Sequence, residues 1–453
     1  DAWAQTVIEH AYDDFNQACQ RWRSLFRAAD AQLHDARIQI DLSHQRKTSK
    51  DERAEAEYLE REARRQKDLL CNTSNDAGES DFYPYRYFAS EGFLPGYSFP
   101  RLPVRAFLRS DDSTYLARPR FLALNEFAPR NVIYHEGRKF RVVRAQLHGD
   151  SPFSKAKVCQ HCGYFYEGSH FDADVCDQCG TQLTGEAVGF MPSLFEMSTQ
   201  LTQRIERITC EEEERLREGY LIETYFQFAT DQHGLRRVVA KPMQDVDITL
   251  TYGAQATLLM VNHGWRRYKH KGFNLNVKTG VWQKRPDDFG DDSDTTDTTA
   301  DTRSNVRIVV RDTRNLLLIT PPATLRGDQS ALLSLQYALL RAIVEWYQLE
   351  DNEISTDLVG HKHQPFVLFW EANEGGAGVL RRLVEDDHAL ALVARQALAL
   401  CHFDPETGVD TQPACLRSCY RCLLSYSNQS VHLQLNRHAI YDVLMQLRDV
   451  TVT

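Results

Sequence analysis

No run of about 18 uninterrupted apolar residues occurs in the 453-residue sequence, so a membrane-spanning helix is not expected. Nor is there a surplus of basic charge. Lys and Arg number 53 against 63 Asp and Glu, a net charge of -10, which excludes a uniformly basic glove for nucleic acid. A local basic face stays open, because Asp287, Asp288, Asp291, Asp292, Asp294, Asp297 and Asp301 concentrate acidity in one stretch without Lys or Arg. The sequence lacks a G-x-x-x-x-G-K-[ST] loop to cradle phosphates and an Asp-Glu pair in a strand setting to hold magnesium. ATP hydrolysis by this chain alone is therefore not expected. It opens on Asp1-Ala-Trp-Ala4, with neither an initiator Met nor a signal-peptide apolar region, and is read as a fragment.

What is present is globular. The composition is 42% hydrophobic, 26% charged and 10% aromatic, and the length suggests roughly two to four domains of about 100 to 200 residues. Residues 1 to about 70 contain no Pro or Gly and space apolar groups helically at Ala4, Val7, Ile8, Ala11 and Phe15. Helices are expected there, with Asp51 to Lys67 as an exposed arm and Asn72 to Ser80 as a polar linker.

From Phe82 the texture becomes β-rich, with short runs such as Arg120–Leu124 and Lys139–Val143 and a turn signal at Glu136-Gly137. A cysteine module follows, then Leu201 to Gly219 with a charged helical turn at Glu211 to Glu214. Strands are expected at Leu221–Phe228, Asp247–Tyr252, Thr257–Val261 and Asn305–Thr320, with a loop at 286 to 304, where charge is high and hydrophobicity low. Helix is expected at Ser330 to Leu349 and Arg437 to Leu447, with a strand at Pro365–Trp370.

Eleven cysteines in a chain this long are not needed to replace a core, and eight fall into two quartets, which favours metal in a reducing cytoplasm over disulfides. Cys159-Gln-His-Cys162 and Cys176-Asp-Gln-Cys179 are each followed by Gly. Two residues between cysteines make a tight knuckle, and two knuckles close a tetrahedral thiolate site, so a structural zinc ribbon is expected. Four thiolates leave no open position for catalysis. The second quartet, Cys401, Cys415, Cys419 and Cys422, is spaced less regularly. Metal, disulfides and a three-thiolate site completed by His402 all remain open on spacing alone. Cys19, Cys71 and Cys210 are isolated and read as packing residues.

Asn373-Glu-Gly-Gly-Ala-Gly378, then Cys401, then Ser418-Cys-Tyr-Arg-Cys-Leu-Leu-Ser-Tyr-Ser-Asn-Gln429 and His432-Leu-Gln-Leu-Asn-Arg437 together resemble the zinc-binding domain of MrfA/YprA-like superfamily 2 helicases. A similar domain occurs in the DrmB subunit of DISARM phage-defence systems. Phe82–Gly96, Arg101–Phe107 and Arg118–Pro129 also resemble the region that follows the motor in such helicases, and the resemblance runs from about residue 82 to the end. It implies zinc on Cys401, Cys415, Cys419 and Cys422, hence two zinc ions per chain. It also implies DNA as a partner, and a motor either in the same polypeptide or on a partner subunit.

Residues 81 to 144 hold eleven Lys or Arg against six acids, interleaved with Tyr83, Tyr85, Tyr87, Phe93 and Tyr97. Stacking on bases with arginines at phosphates is one reading, and a β core with solvated arginines is the other. Trp265-Arg-Arg-Tyr-Lys-His-Lys271 has the same character. Arg86, Arg101, Arg105, Arg266, Arg267, Lys269 and Lys271 are the candidate DNA contacts. Gly375 to Gly378 reads as a tight strand-to-helix turn, since no Lys or Ser/Thr follows where a phosphate loop requires one. No nucleophile or carboxylate pair accompanies His263, His270, His361 and His363, so no catalytic residue is assigned.

The expected class is α+β multidomain. It comprises a helical arm (1–72), a β-rich segment (82–150), a zinc ribbon (151–190), a β-rich domain (191–320) and a C-terminal helical four-Cys zinc domain (321–453). The expected role is that of a cytoplasmic, non-catalytic accessory region of a superfamily 2 helicase that guides or clamps DNA. The alternative is a motorless DrmB-like scaffold that holds a separate helicase.

Overall fold

The computed structural model describes residues 2–45, 50–73, 84–90, 93–94, 103–108, 115–147, 152–205, 219–228, 235–241, 248–266, 271–283, 301–325, 327–361, 365–372 and 376–452. These form two compact units, each drawn from three stretches of chain.

The first unit comprises Asp1–Ser154, Ser193–Leu221 and Asn262–Val310. The sequence free of Pro and Gly folds as helices Ala2–Gln45 and Lys50–Cys71. Contacts of Trp22 Nε1 with the Leu70 carbonyl, Asp30 with Lys67 and Arg37 with Glu60 run in opposite chain directions, so the two helices pack antiparallel. Their buried seam is made largely of small residues, Ala18, Ala29 and Ala36 with Ala56 and Ala63. Small side chains let two backbones approach closely without a thick apolar layer, and so the stretch from Asp51 to Lys67 is half-packed rather than a bare arm. Outside that seam Ile8 is 76% exposed, whereas Phe15, 41% exposed, packs its ring against Phe88 and Phe93.

The sheet of this unit runs Tyr115–Arg118, Val104–Phe107, Gln200–Ile205, Arg138–Ala145, Val132–His135. Only the Val104–Phe107/Gln200–Ile205 pair is parallel. Glu136 (φ 47°) and Gly137 (φ 72°) close the last hairpin with two left-handed residues, the geometry of a type I′ turn. Leu201–Ile205 is thus a strand, and the charged turn expected at Glu211 to Glu214 lies outside the described residues.

Arg120–Leu124 corrects the β reading, because it begins a helix, Arg120–Glu126, that starts directly after Pro119. Its Leu, Ala and Glu favour helix over strand, and Ala123 and Leu124 bury one side. The loop expected at 286 to 304 falls outside the description up to residue 300, while Thr302 already begins the strand Thr302–Thr320.

The second unit comprises Lys155–Pro192, Ile222–Val261 and Arg311–Thr453. Phe366–Glu371 lies between the Leu316–Ile319 stretch and Ile354–Val359, antiparallel to both. Every residue of that central strand is buried. Leu235–Lys241 pairs with Ile248–Gly253, which joins the two strands expected at 247 to 261 into one, Ile248–Trp265. Helices Gln329–Trp346, Val379–Glu385, Ala389–Leu400 and Tyr441–Leu447 supply the rest of one continuous apolar core. Asp328 caps the first of these, its carboxylate accepting from the Ala331 amide at 2.9 Å. The expected terminal helix starts later, at Tyr441, after a 3-10 turn at Arg437–Ile440. Among the described residues no helix is long and apolar enough to cross a membrane.

Candidate metal centres

The first cysteine module is built by two knuckles of the same design. In each, a glycine in the left-handed region, Gly163 (φ 81°) or Gly180 (φ 70°), turns its amide back onto the carbonyl of the first cysteine, at 2.9 Å for Cys159 and 2.8 Å for Cys176. A side chain is disfavoured in that backbone conformation, which is why glycine follows both pairs. The knuckles face each other so that Cys159 Sγ lies 3.7 Å from Cys179 Sγ and Cys162 Sγ 3.6 Å from Cys176 Sγ. All four ligand atoms lie within 4.8 Å of one another.

The ribbon is seated firmly. The His161 carbonyl accepts from the His361 amide at 3.0 Å, and a Cβ on Gly360 would come within 2.4 Å of that oxygen. Glu167 makes a two-pronged ion pair with Arg311, at 2.7 and 3.0 Å.

Four sulfurs this close cannot ionise independently. Hydrogen bonds to Cys159, Cys176 and Cys179, together with burial, push the Cys162 thiol up, whereas hydrogen bonds from Cys159 and Cys162 bring Cys176 down to about 7. A dication at the centre of the four removes this conflict by binding them all as thiolates, and uptake must release the protons they held. The residues therefore fit zinc. The sign follows directly: protons compete with the metal, so affinity falls as pH falls. We expect the ribbon's zinc affinity to be markedly weaker at pH 6 than at pH 8, as measured by competition with a chromophoric chelator.

The C-terminal cluster is assembled differently. Helix Ala389–Leu400 ends in a Schellman turn, with Phe403 N bonded to the Leu398 carbonyl at 2.9 Å and His402 at the left-handed position (φ 64°). A non-glycine residue there costs about 1 kcal/mol. The turn carries the His402 ring inward, with Nε2 3.2 Å from Cys419 Sγ. Cys415 Sγ and Cys422 Sγ are 3.9 Å apart, and the Cys419 amide donates to Cys422 Sγ at 2.9 Å. His402, Cys415, Cys419 and Cys422 bring their ligand atoms within 4.8 Å of one another. Cys401, expected in this quartet, lies one residue earlier at the helix C-cap. Its side chain is fully buried, and burial first, then the charges of the neighbouring Cys422 and Cys415 sulfurs, push its thiol up.

The residues of the long C-terminal motif turn out to be the frame of this centre. Arg437 is completely buried. Its guanidinium donates to the carbonyls of Cys415 (2.7 Å), Cys401 (3.1 Å) and Gln412 (3.2 Å) and pairs with Asp410 at 2.5 Å. Arg341 donates to the carbonyls of Tyr420 and Cys422. Buried Asn428 accepts from Ser425 N and donates to the Leu423 carbonyl, both at 2.9 Å. Upstream, Glu371 is buried at the end of its strand and accepts from the Leu380 amide at 3.1 Å and from Asn315 Nδ2 at 2.9 Å. A Cβ on Gly376 would stand 1.9 Å from Glu371 Oε2, which explains one glycine of the Gly375 to Gly378 turn. Gly378, in the left-handed region at φ 70°, starts the helix Val379–Glu385, as a strand-to-helix turn requires, while Asn373 to Gly375 lie outside the described residues.

This is the arrangement of a structural zinc module, and comparison with known families agrees. Residues 335–423 match the MrfA Zn-binding domain. The two Cys/His centres are zinc sites, two ions per chain. Among curated proteins none matches. Two solved structures, both titled as the DUF1998 helicase MrfA, share 11% identity with this chain. The one bound to DNA has a TM-score of 0.36 and covers 76% of this chain and 34% of its own. The other has a TM-score of 0.29 and covers 79% and 38%. The present chain thus spans little more than a third of their length.

The candidate DNA contacts fare unevenly. Arg101, Arg267 and Lys269 lie outside the described residues, as does the Arg86 side chain. Arg105 is half-buried over the Tyr115 ring, 4.9 Å from its centroid, and Lys271 is half-buried. Arg266 is exposed and follows Trp265, whose ring stacks on Tyr220 at 4.2 Å.

Proposed function

We propose that this chain is a helicase-associated region that guides or clamps DNA beside a superfamily 2 motor, with its zinc centres acting as rigid supports. The observation that carries the reading is the MrfA-type zinc domain at 335–423, built as a buried frame around its metal ligands and carrying no open coordination position. In this reading Cys159, Cys162, Cys176 and Cys179 hold one zinc, and Cys415, Cys419 and Cys422 hold the other with His402 as the fourth ligand. The motor belongs to the same polypeptide or to a partner subunit, and the setting is cytoplasmic.

The segment from Trp265 to Lys271 supports contact with DNA. Arg266 is exposed at its start, directly after Trp265, whose ring stacks on Tyr220. Neutralising several phosphates makes affinity fall steeply with salt. Replacement of Arg266, Arg267, Lys269 and Lys271 by Ala is expected to weaken DNA binding and lower the slope of log affinity against log salt by up to about 4. Fluorescence anisotropy across a salt series checks it. Absence of binding at low salt would remove the DNA-guiding role and leave a scaffold of the DrmB kind as the better account.

A further inference from the structure

The second zinc module has a surface that its metal-binding role does not use. From Thr411 to Tyr441 the sequence contains no Asp or Glu, although the chain as a whole carries a net charge of -10. Within that stretch Leu416 is 80% exposed, Tyr420 64%, Tyr426 87% and Leu433 90%, while Arg417 and Arg421 are exposed between them in sequence. Among the described residues no carboxylate pairs with either arginine. The exposed rings are connected through His432, whose ring meets Tyr420 edge-on at 5.7 Å. Its Nε2 lies 2.9 Å from the carbonyl of Ser425, the residue before Tyr426.

The backbone beneath these side chains is held. Cys419 and Cys422 bracket Tyr420 and Arg421, Arg341 binds the carbonyls of Tyr420 and Cys422, and Asn428 ties Ser425 to Leu423. Two exposed tyrosines on a fixed backbone lose little conformational freedom on contact, because a ring has only two side-chain torsions. Aromatic faces and guanidinium groups, in a stretch of sequence without Asp or Glu, form the chemistry that binds single strands: bases stack and phosphates are neutralised, without sequence readout. A duplex keeps its bases paired and stacked, out of reach of such rings. An apolar protein partner would not require a stretch without acids on an otherwise acidic chain.

We propose that the exposed face of the C-terminal zinc module, centred on Tyr420 and Tyr426 with Arg417 and Arg421, is a stacking platform for single-stranded DNA. It rests on the reading of the chain as a DNA-guiding region and gives that region a preference for the unwound strand, through residues distinct from the Trp265 to Lys271 segment.

The test uses the zinc-loaded full chain, an oligothymidylate, and a strand of equal length and charge in which abasic sites replace the bases. Tyr420→Ala with Tyr426→Ala should lower affinity for oligothymidylate by about tenfold or more, leave zinc content unchanged and leave the abasic strand unaffected. Tyr420→Phe with Tyr426→Phe should retain wild-type affinity, since stacking needs the ring and not the hydroxyl. Arg417→Ala with Arg421→Ala should weaken binding of both strands. Wild-type binding of oligothymidylate that the two Tyr→Ala changes leave untouched overturns the platform alone and sends the strand to the other basic segment. Failure of the wild-type chain to bind any DNA overturns the platform and the DNA-guiding reading together. Self-association that the Tyr→Ala pair abolishes, with DNA affinity unchanged, overturns it by showing that a second copy covers this face.

Discussion

Loss of either zinc is expected to unfold the module around it, and the two losses should be separable. Cys159→Ser with Cys162→Ser should reduce the metal content from two ions to one, and Cys419→Ser with Cys422→Ser should do the same at the other end. Structural zinc sites contribute folding free energy directly, on the order of 10 kcal/mol at neutral pH, because the ligand cage exists only when the chain is folded. The His402 corner makes a sharper claim. His402→Ala should lose the C-terminal zinc, and Cys401→Ser should keep it while costing stability through a buried hydroxyl. Elemental analysis of the reduced proteins decides each case. Retention of zinc by His402→Ala together with its loss in Cys401→Ser would return the fourth ligand to the cysteine.

Arg437→Leu is expected to be nearly as damaging without touching a ligand. The buried guanidinium holds the carbonyls of Cys401 and Cys415, fixing the backbone at two points of the cage, and Asp410 at the rim. A leucine would leave these carbonyl oxygens without their donors. Leaving a buried acceptor without its donor costs about 1–3 kcal/mol. Urea unfolding should report a loss of that order, with zinc released at lower chelator concentration than in the wild type. Arg437→Lys should rescue only part of it, since an ammonium cannot reach carbonyls in several directions as the planar fork does. A wild-type midpoint in Arg437→Leu would mean that the cage is held by the metal alone.

The zinc ribbon was legible in the sequence because its ligands and its turns obey one local rule: two cysteines, two intervening residues and a glycine in the left-handed region. The second centre obeys no such rule. Whether Cys401 or His402 faces the metal depends on where the preceding helix stops and which residue takes the left-handed turn, and spacing carries no information about that step.

Arg437 and Asn428 were visible as parts of a motif, but the carbonyls they hold are distant in sequence, so their structural task was not. The helix at Arg120–Glu126 was missed because a short apolar run fits strand and helix alike; its Leu, Ala and Glu content and the preceding proline were the available clue. The N-terminal hairpin is legible as helix from the absence of Pro and Gly and the apolar spacing, whereas its buried seam is not. Its seam is alanine, which a search for large apolar residues passes over.

In the proposed role, zinc-framed modules hold DNA in register so that motor steps become strand separation. This role is tested most directly in the full assembly carrying Cys419→Ser with Cys422→Ser, by measuring DNA unwinding and ATP hydrolysis on one preparation. Unwinding is expected to fall well below wild type while basal ATP hydrolysis is largely kept, because the defect lies in coupling. Wild-type unwinding after confirmed loss of the C-terminal zinc would contradict it.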